Sequence, residues 1–348
     1  MNLEIDTSLY DFYLPKHLIA QLPSEKRAES RLLVYEYKKD KVKHLLFKDI
    51  VGLLDKRWCV VFNDTRVEKR KLYFKKPTDG VVPVLITYYD DGIIKCLPSK
   101  RLKIGQELKF GSSIECVVKD KNTETGEVFL EGKFTGKEIS LIIDKYGLAP
   151  LPPYIKRTYN DSRNIIDLKR YQTIYAKKGC SLAAPTAGFH FDENIIKTLK
   201  ENGVEIFYIT LDIGFATFKP IKTNKITEHK LLPEHATVSK EVAEGLNKAI
   251  NQGKKILCVG TTVIRTLEYL ATKFGSVIPY DGPVDIYIYP GYKFKVTNAI
   301  VTNFHLPKST NLVLIAAFVG REKLLELYNI AIENNYRFYS YGDAMLII

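Results

Sequence analysis

The sequence predicts a mixed α/β protein interrupted by a small all-β barrel, on three observations. A β-branched strand pattern precedes residue 70, helix and strand patterns alternate after residue 150, and between them short apolar runs are broken by glycine turns. The expected domains are residues 1–70 and 150–348 as the two parts of a large α/β domain, with 71–149 as the inserted barrel. At 348 residues, 45% of them hydrophobic, the chain is long enough for both to bury a core.

The first strand is the run Arg57-Trp58-Cys59-Val60-Val61-Phe62, which breaks into Asn63, Asp64, Thr65 and Arg66. Those four residues either form a structural turn or line a site. In the barrel, Asp79-Gly80, Asp91-Gly92, Gly105, Gly111, Thr125-Gly126, Gly132 and Gly136 punctuate the strands, and no good helix pattern occurs before 139–145. Beyond it, Asp192 or Phe191 opens a helix that faces Ile195, Ile196 and Leu199 inward and ends at Gly203; residues 204–211 follow as a strand. A second helix starts at Ser239, buries Val242, Leu246, Ala249 and Ile250, and stops at Gly253. Residues 256–259 then form a strand that turns at Gly260 into a helix carrying Arg265 and Glu268. Residues 284–294 alternate as a strand, and Pro307 should close the strand before the apolar run 311–319.

Composition removes several function classes. Residues 1–10 contain no apolar signal region, and the apolar run 312–319 is too short to span a bilayer, so a cytoplasmic protein without a membrane is expected. Five scattered cysteines without a C-x-x-C pair and six scattered histidines imply no disulfide framework and no metal. Neither a G-x-G-x-x-G string nor a P-loop is present. The net charge of +12 suits a polyanion such as RNA, although lysine-rich composition alone would also produce it.

Five segments carry chemistry. In Ser181-Leu182-Ala183-Ala184-Pro185-Thr186-Ala187-Gly188-Phe189-His190-Phe191-Asp192, small residues allow close backbone approach, so Thr186, Gly188 and Phe189 read as a pocket floor. His190, beside a helix start, should stay neutral and serve as a base, or else bond a loop carbonyl. Gly260-Thr261-Thr262 presents free N–H groups to an anion, with Arg265 one turn on. Asp285, Tyr287 and Tyr289 share one face of their strand, either a platform for unstacked bases or a wet tyrosine face. His305 follows Asn303 in a polar loop, and Asp343 precedes the apolar end of the chain, where capping or ion pairing is the plain reading.

Taken together, these segments resemble the bacterial S-adenosylmethionine:tRNA ribosyltransferase-isomerase family of queuosine biosynthesis. The resemblance runs through Tyr10-Asp11-Phe12-Tyr13-Leu14-Pro15, Phe62-Asn63-Asp64-Thr65-Arg66-Val67, Arg170-Tyr171-Gln172-Thr173-Ile174-Tyr175-Ala176, the 183–191 phrase, Gly260-Thr261-Thr262, Tyr289-Pro290-Gly291-Tyr292, 302–310 and 341–347. It implies a large α/β domain with a half-barrel mixed sheet, interrupted by a small β-barrel. It also implies transfer and isomerisation of the ribosyl moiety of S-adenosylmethionine onto 7-aminomethyl-7-deazaguanine at the tRNA wobble position, giving epoxyqueuosine, adenine and methionine. S-adenosylmethionine is then a co-substrate, no prosthetic group is needed, tRNA is the partner, and a monomer is expected. The reaction begins with proton loss beside the sulfonium.

On this resemblance His190 is the leading base, with His305 and Asp343 as alternatives. Thr262 and Arg265 go to the methionine carboxylate, Asp285 to the deazaguanine edge, and Tyr287 and Tyr292 to stacking. Asn63, Asp64, Arg66, Thr186, Gly188, Phe189, Thr261 and Asn303 complete the expected substrate contacts. Two family histidines are missing, at Asp212 in Leu211-Asp212-Ile213-Gly214-Phe215-Ala216-Thr217-Phe218 and at Leu232 in Leu231-Leu232-Pro233-Glu234. Asp212 is a candidate replacement as base or hydrogen-bond acceptor, and His235 a candidate to fill the place of Leu232. The rival readings are a diverged paralogue with another acceptor and a non-catalytic RNA-binding protein.

Overall fold

The computed structural model describes residues 5–112, 114–214 and 220–348. The chain forms two compact units: the first takes in residues up to Arg66, Pro152–Ile155 and Gln172–Ile348, the second Val67–Leu151 and Lys156–Tyr171.

The first unit is built on an open mixed sheet. Its strands are β1 (Arg31–Glu36), β2 (Lys41–Leu46), β3 (Trp58–Asn63), β12 (Glu205–Leu211), β13 (Glu234–Val238), β14 (Lys255–Val259), β15 (Tyr280–Val284), β16 (Thr297–Asn303) and β17 (Ala344–Ile347), in the order β15-β13-β12-β3-β14-β16-β17-β1-β2. The central four, β12, β3, β14 and β16, run parallel, so Leu211, Asn63, Val259 and Asn303 all end at the same edge. Alternate residues of β3 enter opposite layers: Cys59 and Val61 join one core, Val60 and Phe62 the other. Burial on both faces explains why these strands read as continuous apolar runs. A short pair, β4 (Thr65–Val67) with β11 (Lys178–Ser181), flanks that edge.

The helices of this unit start and stop where the sequence indicated. Asp192 caps α3 (Glu193–Glu201), its carboxylate accepting from the Ile195 N–H at 2.8 Å, and Gly203 follows at a φ of 77°. Ser239 caps α4 (Lys240–Asn251), where Leu246 and Ala249 are buried as expected, but Ala243 is buried as well and Val242 and Ile250 are only partly covered. After β14 come α5 (Thr261–Phe274), then α6 (Thr310–Val319) and α7 (Arg321–Glu333). The predicted strand 284–294 is not formed: β15 ends at Val284, and the residues beyond it run without a ladder partner. Glu268 gives the reason for the following segment. Its buried carboxylate collects the N–H groups of Lys295, Val296 and Thr297, and so ties this chain to α5 before β16 begins.

The second unit is a closed barrel of β5 (Lys71–Lys75), β6 (Val81–Asp90), β7 (Ile93–Pro98), β8 (Glu107–Phe110), β9 (Ile114–Lys121) and β10 (Val128–Gly132), ordered β10-β7-β6-β5-β8-β9. Leu72, Phe74, Val84, Ile86, Cys96 and Val118 fill it. It also holds α1 (Gly136–Tyr146), whose Thr135–Glu138 capping box is complete, and α2 (Asn164–Arg170). Residues 156–171, which the sequence reading gave to the larger domain, cluster with this unit: the fully buried pair Arg157–Asp167 at 2.6 Å closes the segment on itself, and the ring of Tyr159 packs on Tyr73 of β5.

Candidate functional site

Ligands of open α/β sheets gather at the carboxyl ends of the parallel strands, and the polar cleft of the first unit lies there. It is lined by Thr186, Thr261, Thr262, Asn303, His305 and Asn311, with Tyr154, Ser309, Tyr339 and Ser340 around it. Its enclosed space is about 70 Å³. Two helix starts meet at it. At α5, Gly260 takes φ 91° and ψ 156°, open only to glycine, and caps the helix without a side chain. The first-turn N–H groups of Thr261 and Thr262 are therefore left to an outside acceptor. At α6, Ser309 caps through the Leu312 N–H.

A buried amide oxygen in the cleft lacks a partner. Asn303 donates through Nδ2 to Tyr339 O at 3.0 Å and to His190 Nε2 at 3.3 Å, while its buried Oδ1 accepts nothing. Tyr339 holds a φ of 70°, an unusual conformation for a non-glycine residue, so strain is concentrated beside this amide.

The two histidines differ in access. His190 is 3% exposed, and burial pushes its imidazole down to about 4. The Ser30 hydroxyl donates to Arg27 O at 3.2 Å and so accepts from His190 Nδ1 at 2.7 Å; Nε2 is then the acceptor facing Asn303. Both nitrogens are spent, so His190 orients Asn303 and has no lone pair left for a substrate proton. His305 lies on the cleft wall, and burial likewise lowers it to about 4. The Thr302 hydroxyl lies 3.2 Å from Asn303 O and 2.7 Å from His305 Nε2, so that ring nitrogen is engaged. Nδ1 of His305 has no partner among the described residues.

Other expected residues are placed differently. Asp343, 2% exposed, accepts from the backbone N–H groups of Arg31 at 3.0 Å and Arg337 at 2.8 Å, which makes it a structural acceptor and not a base. Arg265 is held by Glu234 in a buried ion pair and donates to Val284 O and Ile286 O, so its charge is already answered. Tyr292 donates to Glu268 at 3.0 Å, two turns along α5 from the cleft, about 10 Å by helix rise. Asp285 is exposed and acts on Tyr269 and Lys273 at that same far end. Tyr287 lines a smaller cavity with Thr261, Arg265 and Asn311, and its buried hydroxyl has no partner.

At the end of β3, Asn63 is fully used: Nδ2 donates to Leu211 O and Thr262 Oγ1, and Oδ1 accepts from Thr65 N and Leu211 N. Asp64 accepts from Thr210 at 2.6 Å, and Arg66 points to solvent. The turn is structural, holding β3, β12 and α5 together. Gly188 adopts no positive φ; a Cβ there would stand 2.1 Å from the Tyr175 hydroxyl, so close packing requires the glycine. Phe189 is buried under the Arg27 guanidinium, which also donates to its carbonyl at 3.0 Å.

Asp212 accepts from Thr65 Oγ1 at 2.7 Å and from Cys180 N at 2.9 Å, making it the acceptor that fastens β11. His235 does not move into the gap at Leu232: it is exposed on β13 beside Asp281, on the face opposite Glu234. Residues 215–218 of the departing octapeptide lie outside the described residues. Sequence reasoning missed Ser30, Tyr154, Tyr339 and Ser340. Ser30 and its partner His190 are 160 positions apart, and no local pattern marks any of the four. Among the described residues no cluster of metal-ligating side chains occurs, and no helix is long and apolar enough to cross a membrane.

Residues 7–347 match the family model described as queuosine biosynthesis protein. An S-adenosylmethionine:tRNA ribosyltransferase-isomerase of Clostridium kluyveri is 43% identical over 345 residues, covering 97% of this chain and 98% of the relative. The protein of the same description from Aquifex aeolicus is also 43% identical, over 343 residues and the same shares. The crystal structure of an S-adenosylmethionine tRNA ribosyltransferase from Thermotoga maritima superposes with a TM-score of 0.56 at 32% identity, covering 98% of this chain and 100% of that one.

Proposed function

The chain belongs to the queuosine biosynthesis protein family, and we propose that it performs the reaction of its relatives at the cleft beside α5 and α6. It is an enzyme that transfers and isomerises the ribosyl moiety of S-adenosylmethionine onto 7-aminomethyl-7-deazaguanine at the tRNA wobble position. The products are epoxyqueuosine-tRNA, adenine and methionine. The observation that supports this site is the convergence of three segments distant in sequence, at Thr186, Thr261-Thr262 and Asn303 to Asn311, on one polar cavity.

The roles follow from what each group has left to offer. His305 Nδ1, neutral and unpartnered, takes the proton beside the sulfonium, where positive sulfur stabilises the carbanion. The first-turn N–H groups of α5 receive the methionine carboxylate, aided by the Thr262 hydroxyl. The vacant Oδ1 of Asn303 accepts an N–H of the donor, and His190, backed by Ser30, keeps the amide turned that way. Tyr287 offers its unpartnered hydroxyl in the adjoining cavity. Thr186 and Ser340 border the space from which water must be kept while the ribose ring is open. Arg265 shapes the wall through Glu234, and His190 acts as a positioning residue.

The protein acts as a monomer in the cytoplasm, where tRNA is modified. Purified enzyme mixed with S-adenosylmethionine and tRNA bearing the aminomethyl base should release free adenine and shift the nucleoside mass to epoxyqueuosine. Formation of S-adenosylhomocysteine, or no adenine at all, would exclude the reading.

A further inference from the structure

A cavity of the barrel unit encloses about 590 Å³, against about 70 Å³ for the polar cleft, and it lies on the outer face of β5 and β8 against the end of α1. Strand alternation sends Leu72 and Phe74 into the barrel and leaves Tyr73 and Lys75 on this outer face. Two ring pairs wall it: Tyr73 with Tyr159, centroids 5.2 Å apart, and Phe110 with Tyr146, 5.6 Å apart. In each pair one ring is largely uncovered, Tyr159 at 51% and Tyr146 at 42% exposure.

Charge sharpens the reading. Lys75 and Lys109 stand directly opposite each other across the β5–β8 ladder, where like charges repel; Glu115 answers Lys109 alone, at 2.7 Å. An anion between the lysines would relieve that repulsion. The unit carries 20 lysines and arginines against 14 acidic residues, so under a third of the chain holds half of its net charge of +12. Aromatic faces interleaved with cations suit bases and phosphates of an unpaired strand.

We propose that this groove docks unpaired nucleotides of the RNA substrate, with bases stacked on Tyr73, Tyr146 and Tyr159 and phosphates held by Lys75 and Lys109. The occupant, tRNA, rests on the function proposed above; the groove contributes affinity and no chemistry.

The test uses the full chain and fluorescently labelled tRNA bearing the aminomethyl base, with affinity read by anisotropy. Tyr146→Ala with Tyr159→Ala should weaken binding at least tenfold, whereas Tyr146→Phe with Tyr159→Phe, which keeps both rings, should bind as wild type. Lys75→Ala with Lys109→Ala should lower the slope of log affinity against log salt by about 1 to 2. The KM for S-adenosylmethionine should stay put in all three. Affinity within twofold of wild type in both alanine pairs would overturn the proposal, as would equal loss in the phenylalanine pair. Wild-type enzyme that binds the tRNA through this groove but releases no adenine would sink the catalytic reading and leave the groove standing.

Discussion

Thr302 and His305 are joined by a 2.7 Å hydrogen bond through Nε2, which leaves Nδ1 as the ring nitrogen without a partner among the described residues. With the hydroxyl's one proton on Asn303 O, His305 holds its own proton on Nε2 and presents Nδ1 bare, the tautomer that the role of base requires. One short bond thereby distinguishes an available base from a merely buried ring.

His305→Gln should slow adenine release by about 10²- to 10⁴-fold, the usual worth of a positioned general base. His190→Gln should cost less than tenfold in kcat and act mainly on the KM for S-adenosylmethionine. Steady-state kinetics of both variants checks this, and a larger kcat loss at His190 would reverse the assignment.

The acid limb of kcat/KM should fall near pH 4 and not near 6.5, because burial lowers His305 to about 4 and the base stays unprotonated until then. A pH profile with its acid limb between 6 and 7 would remove His305 from the role.

His190 also makes the fold acid-sensitive. Its folded value, about 4, lies below the unfolded 6.5, so the unfolded chain binds the extra proton first. Stability is full above pH 6.5 and declines as pH falls towards 4, by about 3 kcal/mol for this ring. Thermal melts from pH 7 to 4.5 should show a smaller decline in His190→Gln than in wild type.

Glu234→Gln should lower stability by about 3–5 kcal/mol, because it strands the buried Arg265 guanidinium. Replacing both together, by Leu and Met, should recover much of that in denaturant titrations. Equal losses in the single and double variants would show that the ion pair is not the cause.

Gly188→Ala should be strongly destabilising, since its Cβ would meet the Tyr175 hydroxyl at 2.1 Å. Adding Tyr175→Phe should return part of the melting temperature, though Thr173 Cγ2 at 2.8 Å keeps the rescue incomplete.

Elements bounded by local chemistry were legible in the sequence: Asp192 and Gly203 mark α3, Ser239 and Gly253 mark α4, and glycine spacing marks the barrel. The cleft was legible as a set of segments, since Thr186, Thr262, Asn303 and His305 do share it. Roles were harder to read. Whether His190 is free depends on Ser30 and Asn303, and whether Arg265 is free depends on Glu234; each partner arrives from a remote strand or turn. Tyr292 and Asp285 were misplaced because a helix turns two motifs of one segment into opposite ends of a rod.

The Asp212 carboxylate fits beside Gly179 so closely that a methyl group there would stand 2.1 Å from Oδ1. With φ at 77°, position 179 is doubly closed to side chains. An imidazole at 212 is bulkier than the carboxylate already seated against Gly179, so it would have to displace the backbone of its neighbour. The side chain at 212 and the course of β11 are therefore interlocked, and exchanging one means rebuilding the other.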